Sequence, residues 1–167
     1  MMSDLPEYVL DREFNAPRDM VWKAWTDPEL LARWYGPGVE TVIHKFDLKP
    51  GGVWLNEMKW GENSMLSKMV FKEVTPTNQL VWDHYSATDK EWNSVKNPKM
   101  PDWPDVLLTT VTFEAAGAKT NVRLTQVPVG ASEAENACFA QMMEGMSKGW
   151  GSGYTIMDEI FAELQSK

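Results

Sequence analysis

The sequence predicts an α+β domain in which a long C-terminal helix lies across an antiparallel sheet. Six successive segments between Val39 and Val127 are rich in β-branched and aromatic residues and predict a meander. Residues 131–164 change to helical spacing, with one broad apolar face that needs a covering surface. The sheet is the expected partner of that face.

A strand and two short helices are predicted before the meander. Tyr8 to Phe14 alternates in character and predicts the strand. Pro17 can open the first helix because a first-turn N–H lacks an intrahelical partner. Asp27 before Pro28 is a second start signal, an N-cap acceptor followed by a residue suited to the first helical position. The expected buried faces are Met20, Val21, Ala24 and Trp25 in the first helix and Leu30, Leu31 and Trp34 in the second.

The meander is divided by turn residues. Pro50-Gly51-Gly52 and Gly117-Ala118-Lys119 are expected hairpin connections in which glycine supplies a positive φ. Thr75-Pro76-Thr77-Asn78 is a third. The predicted strands are Val39–Leu48, Val53–Trp60, Met65–Val74, Leu80–Tyr85, Val106–Ala115 and Thr120–Val127.

The C-terminal segment begins with a helix signal. Ser132 followed three positions later by Glu135 matches a capping box. The expected apolar face includes Trp150, Tyr154, Met157 and Phe161. Gly149, Gly151 and Gly153 interrupt this pattern, and each costs about 1 kcal/mol relative to Ala inside a helix. The helix therefore either breaks here or is approached closely by another part of the chain.

Composition excludes several classes of protein. The 167 residues suit a single domain, predicted over 1–167. A net charge of −8 opposes binding to nucleic acid, and no apolar run reaches the length of a membrane span. One cysteine, Cys138, cannot form an intramolecular disulfide, and no secretion signal opens the chain, so we expect a cytoplasmic location.

The ordered motifs resemble a known family. They are Phe14-x-Ala16-Pro17, Val21-Trp22-x-Ala24, Thr26-Asp27-Pro28-Glu29-Leu30, Trp34-x-Gly36-Pro37, Pro50-Gly51-Gly52-x-Trp54-x-x-x-Met58, Thr120-x-Val122-x-Leu124 and Gly149-Trp150. Together they resemble the activator of heat-shock protein 90 ATPase homologue-like family, in its stand-alone bacterial form, within the START-like (SRPBCC) superfamily. The resemblance covers nearly the whole chain. It implies a helix-grip fold, a curved antiparallel sheet wrapped around the C-terminal helix, with a hydrophobic cavity between them.

The chain departs from that pattern in two places. Residues 88–105 form a polar, proline-bearing insertion with Trp92 and Trp103, which predicts either a lid over a binding site or a loop anchored by its aromatic rings. Residues 132–148 add more helix than the resemblance requires. The family member that activates the chaperone uses a further amino-terminal domain that this sequence lacks, so a chaperone partner is only weakly supported.

Motifs specific to catalysis are missing. The sequence contains no metalloprotease, redox-cysteine, phosphate-binding or dinucleotide-binding motif, so we predict no cofactor and no metal site. His44 and His84 are the two histidines, and with Glu57 or Asp83 they are candidates for proton transfer. A structural role is the alternative for each histidine.

The parity of the strands suggests a binding surface. Trp54, Asn56, Met58 and Trp60 share one face of their strand, and Trp82 and His84 share a face of another. Aromatic walls with a few polar groups are typical of small-molecule sites, although the same faces could be ordinary core. The candidate ligand-binding residues are Trp54, Asn56, Met58, Trp60, Trp82, His84, Val111, Phe113, Trp150, Gly153, Tyr154 and Met157.

Three functions remain open from the sequence. The first is binding of an apolar or amphipathic small molecule between sheet and helix. The second is an enzyme of the same fold that moves a proton on an aromatic or polyketide-like substrate. The third is a chaperone-interacting module.

Overall fold

The computed structural model describes residues 6–166, which contain seven strands and four helices. The strands are β1 (Tyr8–Phe14), β2 (Glu40–Phe46), β3 (Val53–Trp60), β4 (Asn63–Thr75), β5 (Gln79–Thr88), β6 (Val106–Ala116) and β7 (Lys119–Pro128). The helices are α1 (Arg18–Thr26), α2 (Pro28–Trp34), α3 (Glu133–Gln141) and α4 (Met143–Gln165).

All seven strands form one antiparallel sheet in the order β1-β7-β6-β5-β4-β3-β2. The last six follow one another as the predicted meander, and β1 closes the other edge by pairing with β7. Gly51 and Gly117 adopt the positive φ expected at their hairpins, with values of 84° and 66°. With the long C-terminal helix, this architecture confirms the helix-grip fold.

The connection from β1 to β2 is helical as predicted. Asp27 caps α2 with its side chain, which accepts a hydrogen bond from the backbone N–H of Glu29 at 3.0 Å. Pro17 lies at the N-cap of α1 rather than inside its first turn. The indole Nε1 of Trp34 donates to the carbonyl of Ala24 at 2.8 Å and so ties α2 to α1.

The C-terminal segment forms two helices that meet at Met142. Ser132 and Glu135 form both hydrogen bonds of the predicted capping box at the start of α3. Met142 ends α3 and precedes α4, so the break falls there and not at the glycines. Gly149, Gly151 and Gly153 all lie inside α4.

The C-terminal half of α4 is packed into the core, where Tyr154, Met157, Ile160 and Phe161 are buried. Their partners include Phe14 of β1, whose ring centroid lies 5.0 Å from that of Tyr154. Tyr154 also contacts the indoles of Trp25 and Trp34 in α1 and α2. The expectation that the sheet alone covers this helix is therefore wrong, because α1 and α2 share its apolar face.

Gly153 allows α4 to approach α2 closely. A Cβ atom at Gly153 would lie 2.8 Å from the backbone oxygen of Trp34, which is closer than real Cβ atoms approach, and 3.1 Å from its indole ring, which is a tight contact. At Gly149 and Gly151 a Cβ would meet nothing within 4 Å. Of the two explanations for the glycines, a close approach of another element therefore holds for Gly153. The element that approaches is α2, not the sheet.

Within the described residues, no helix is both long and apolar enough to cross a membrane. Residues 1–5 and 167 lie outside the described part, so the prediction of one domain over 1–167 stays a prediction at both ends.

The glycine contact can be tested with paired substitutions. Gly153→Ala is expected to lower the free energy of unfolding by about 1 to 3 kcal/mol, because the added methyl group meets Trp34. Gly151→Ala, the matched control, is expected to raise it by up to about 1 kcal/mol through helix propensity. Urea unfolding measures both, and equal effects of the two substitutions would contradict the close approach.

Candidate ligand-binding site

Two adjacent cavities lie between the sheet and the N-terminal half of α4. The first, here called the helix cavity, has a volume of about 270 Å³. Its walls are α2 with the turn after it, the sheet and α4, through Trp34, Tyr35, Gly36, Pro37, Met58, His84, Ser86, Trp103, Leu107, Gln126, Met146, Gly149, Trp150 and Gly153.

The second, here called the loop cavity, has a volume of about 360 Å³ and lies beneath the 88–105 insertion. Its residues include Met65, Ser67, Lys96, Met100, Asp105 and Met142. The two cavities have five residues in common, Met58, His84, Ser86, Trp103 and Met146. The two cavities therefore lie side by side, and together they are called the site below.

His84 is the central polar group of the site. It is 8% exposed, and its Nδ1 accepts a hydrogen bond from the indole Nε1 of Trp82 at 3.2 Å. Burial lowers the pKa of His84 to about 4, so the ring is neutral at pH 7. Because Nδ1 acts as the acceptor, the single ring proton is assigned to Nε2. Nε2 has no hydrogen-bond partner among residues 6–166.

Polar side chains continue from His84 across neighbouring strands. Asn56 and Ser67 are directly opposite each other on β3 and β4, and both are buried. The amide nitrogen of Asn56 and the hydroxyl of Ser67 have no hydrogen-bond partner in the structure. On the other side of His84, the amide nitrogen of Gln126 donates to Thr109 at 3.1 Å. Unpaired polar atoms in such a position favour a guest that can bond to them.

The structure places the twelve predicted ligand-binding residues in four groups, of which Trp60 alone is the last. Met58, His84, Trp150 and Gly153 line the helix cavity, and their role in binding stays a prediction. Asn56 lies beside the loop-cavity residue Ser67 but lines neither cavity. The core residues that line neither cavity are Trp54, Trp82, Val111, Phe113, Tyr154 and Met157.

Trp60 needs a separate correction, because it lines neither of the two cavities. It is 42% exposed at the end of β3 and borders a surface depression next to the insertion loop. Trp60 is the last residue of β3, and strand parity alone does not show how far along a strand the sheet is covered.

The two tryptophans of the insertion lie in different places. Trp103 lines both cavities, and its ring centroid lies 5.6 Å from that of Phe139 in α3, with the two rings tilted. Its Nε1 donates to the hydroxyl of Ser86 at 3.1 Å. Trp92 lies 5.7 Å from the ring of His44 and lines neither cavity. Of the pair expected to cover a ligand, only Trp103 is therefore placed to do so.

The insertion is held in place by an ion-pair cluster. The ammonium group of Lys96 bonds to Glu135 of α3 and lies 3.0 Å from Asp105. These contacts raise the pKa of Lys96, with the Glu135 bond as the largest cause. The cluster ties the roof of the loop cavity to α3.

The candidate proton-transfer residues are not brought together. His44 bonds to Glu57 at 2.8 Å, and Glu57 alternates along β3 with the cavity-lining Met58, so this pair lies on the opposite face of the sheet. Asp83 lies next to His84 in sequence, also on that opposite face, 3.7 Å from Lys72. His84 thus has no carboxylate partner in the site.

Several lining residues were missed as ligand contacts from the sequence. Ser86 shares a strand face with His84, but the predicted strand ended at Tyr85 and so excluded it. Gln126 lies on the buried face of β7, and a polar residue among the apolar ones on that face could have indicated a ligand contact from the sequence. Met146 lies four residues before Trp150 and thus on the same helix face.

No group of three or more His, Cys, Asp or Glu side chains within the described residues is arranged to hold a metal ion. The site therefore consists of apolar walls and uncharged polar groups, with Lys96 and Asp105 at its loop end.

Comparison with known proteins supports the architecture. Residues 15–162 match the family described as Activator of Hsp90 ATPase homolog 1-like protein. No curated protein matches the chain in sequence. Three solved structures have a similar fold. A crystal structure of a protein from Mycobacterium smegmatis has a TM-score of 0.77 and 21% identity, with 94% of this chain and 91% of that chain covered. A solution structure from Arthrobacter aurescens has a TM-score of 0.79, 22% identity and coverages of 94% and 86%, and a crystal structure from Nitrosomonas europaea has a TM-score of 0.72, 23% identity and coverages of 96% and 97%. At these identities the likeness shows the fold alone.

The state of His84 predicts a pH dependence of stability. Its pKa is about 4 when folded and near 6.5 when unfolded, so between these values the unfolded chain binds a proton that the folded chain does not. Stability from this group is therefore full above pH 6.5 and is lost as the pH falls toward 4, by up to about 3 kcal/mol.

Urea unfolding at pH 7 and pH 4.5 measures this loss. His84→Phe is expected to reduce the difference between the two pH values, and His44→Phe, the matched control on the opposite face, is expected to retain it. An unchanged pH dependence in His84→Phe would show that the ring is not buried as described.

Proposed function

The chain belongs to the Activator of Hsp90 ATPase homolog 1-like family, and from that premise we propose that it binds an apolar or amphipathic small molecule between its sheet and C-terminal helix. The observation that carries the proposal is the pair of adjacent cavities with largely apolar walls, together with the buried, unpaired hydroxyl of Ser67 in the loop cavity. A small molecule is thus the proposed partner, and the cytoplasm is the proposed location.

Rigid aromatic packing keeps the helix cavity open. Trp34 contacts Trp25 with ring centroids 4.6 Å apart, and Tyr35 contacts Trp54 at 4.9 Å. Trp150 stacks against Trp25 at 6.0 Å, which fixes the α4 wall. Because these rings hold one another in place, the cavity is preformed, and ligand binding does not require the free energy of opening it.

Methionines surround the loop cavity and give it adaptability. Met58, Met65, Met100, Met142 and Met146 all contribute to its wall. Unbranched thioether side chains can change rotamer to fit guests of different shape. The rigid aromatic end and the flexible methionine end suit a molecule that enters past the methionines and rests against the indoles.

The geometry favours neither competing function. Proton transfer near neutral pH needs a group that titrates there, whereas burial keeps the pKa of His84 about 4 and no carboxylate faces it. For a chaperone partner, the described surface offers no specific feature that favours one. Small-molecule binding is therefore the function that the cavity supports best.

Trp103 and Trp92 provide a matched test of the site. Trp103→Ala is expected to weaken binding of the neutral probe 2-acetylnaphthalene about tenfold, because a cavity wall is lost. Trp92→Ala is expected to leave affinity within about twofold, because its ring contacts His44 outside the cavity.

Isothermal titration calorimetry gives the affinities, and thermal unfolding shows whether each variant is folded. Equal affinities of both variants and the unsubstituted protein would place probe binding elsewhere, and absence of any binding would overturn the proposed function for molecules of this size.

A further inference from the structure

The hydrogen bonds of three indoles determine which polar atoms their partners leave unpaired. The indole of Trp54 donates to the carbonyl oxygen of Asn56 at 3.2 Å, and that of Trp82 donates to Nδ1 of His84. The indole of Trp103 donates to the hydroxyl oxygen of Ser86. An indole N–H can only donate, so each of these bonds uses an acceptor of its partner.

The same partners are left with donors. Asn56 keeps an unpaired amide nitrogen, His84 keeps the N–H at Nε2, and Ser86 keeps its hydroxyl proton. Tyr35 adds a phenol at the wall of the helix cavity. The amide oxygen of Gln126, whose nitrogen is already engaged with Thr109, can only accept, whereas the hydroxyls of Tyr35 and Ser86 can both donate and accept. Asn56 lines neither cavity, so among the cavity-lining partners of these indoles His84 is the one that can only donate, through Nε2.

The site lacks a charge that could neutralise an anion. No Lys or Arg lines the helix cavity. In the loop cavity, Lys96 is already bonded to Glu135 and Asp105. A carboxylate placed at His84 would lose its hydration without gaining a counter-ion, which costs far more than burying a neutral carbonyl.

The volume limits the size of the guest. An apolar cavity of about 150 Å³ holds a benzene molecule. The helix cavity, at about 270 Å³, accommodates a larger body, of the order of two fused rings. Trp34 and Trp150 provide aromatic surfaces against which a flat body can pack.

We infer that the site selects an uncharged, one- or two-ring molecule bearing an oxygen that accepts a hydrogen bond from Nε2 of His84, such as a ketone, aldehyde or ester, and excludes the matching carboxylate. This inference rests on the proposed function, because it specifies the ligand of the same site.

Three molecules with one ring system test the inference. 2-Acetylnaphthalene carries the acceptor, 2-ethylnaphthalene lacks it, and 2-naphthoic acid replaces it with a carboxyl group. At pH 7 the ketone is expected to bind about tenfold more tightly than the hydrocarbon, the worth of one buried hydrogen bond. The naphthoate anion is expected to bind far more weakly than either.

The pH dependence of the acid isolates the effect of charge. If only its neutral form binds, the apparent Kd rises tenfold for each pH unit between pH 5 and 7, because a carboxyl group of this kind titrates near pH 4. The ketone is expected to keep one Kd over this range.

The titratable groups of the protein that face the site are not expected to produce a tenfold change in Kd per pH unit between pH 5 and 7. Burial raises the pKa of Tyr35, ion pairing raises that of Lys96, and His84 is largely neutral above pH 5. Asp105 and Glu135 are both engaged with Lys96. The ketone measured at each pH corrects for any residual change in the protein.

The role of His84 has a variant test and a spectroscopic test. His84→Phe is expected to remove the tenfold preference for ketone over hydrocarbon, while His44→Phe is expected to keep it. His84→Phe removes the acceptor of the Trp82 indole and so could fail to fold. In that case ¹⁵N spectra of the histidines in the unsubstituted protein test the role of His84. They are expected to show the Nε2–H form of His84 and a shift of Nε2 with the ketone but not with the hydrocarbon.

Each outcome has a separate meaning. Equal binding of ketone and hydrocarbon, a Kd of the acid independent of pH, or an Nδ1–H form of His84 overturns this inference and leaves small-molecule binding intact. Failure of all three molecules to bind overturns the proposed function as well.

Discussion

The contact between Gly153 and Trp34 is the constraint on which the cavity depends. With no side chain at Gly153, α4 lies directly against the backbone and ring of Trp34. From Tyr154 onward the helix is buried against β1, α1 and α2, and the hydrogen bond and ion pair between Arg12 and Asp158 add a link at the surface. Before Gly153 the helix faces the cavities through Met146 and Trp150. One helix therefore serves as core at one end and as cavity wall at the other.

The buried polar side chains on the sheet, Asn56, Ser67 and His84, lower the stability of the folded protein unless their polar atoms form hydrogen bonds. Buried amide, hydroxyl and imidazole groups stabilise a core only when their hydrogen bonds are satisfied, and the unpaired atoms of Asn56 and Ser67 are not. The indoles of Trp54 and Trp82 reduce this cost by bonding to one atom of each neighbour while orienting the other. The aromatic residues thus both form the core and set the hydrogen-bonding character of the cavity.

The fold was predictable because its signals are local or periodic. The cap at Asp27, the capping box at Ser132 and the strand alternation all reflect hydrogen bonds or faces within a few residues. The site was less predictable because it depends on where two elements separate. Strand parity placed Met58 and His84 on the correct face, but it could not distinguish them from Trp54 and Trp82, which share those faces and are fully packed. The opposite placements of Trp92 and Trp103 follow from loop turns that have no periodic signal.

A crystal structure of the protein with bound 2-acetylnaphthalene tests the central claim most directly. We expect the ring system to lie in the helix cavity, packed against Trp34 and Trp150, with the carbonyl oxygen about 3 Å from Nε2 of His84. A cavity filled by Trp150 or Trp103, with the probe on the outer surface of the sheet or absent, would contradict it.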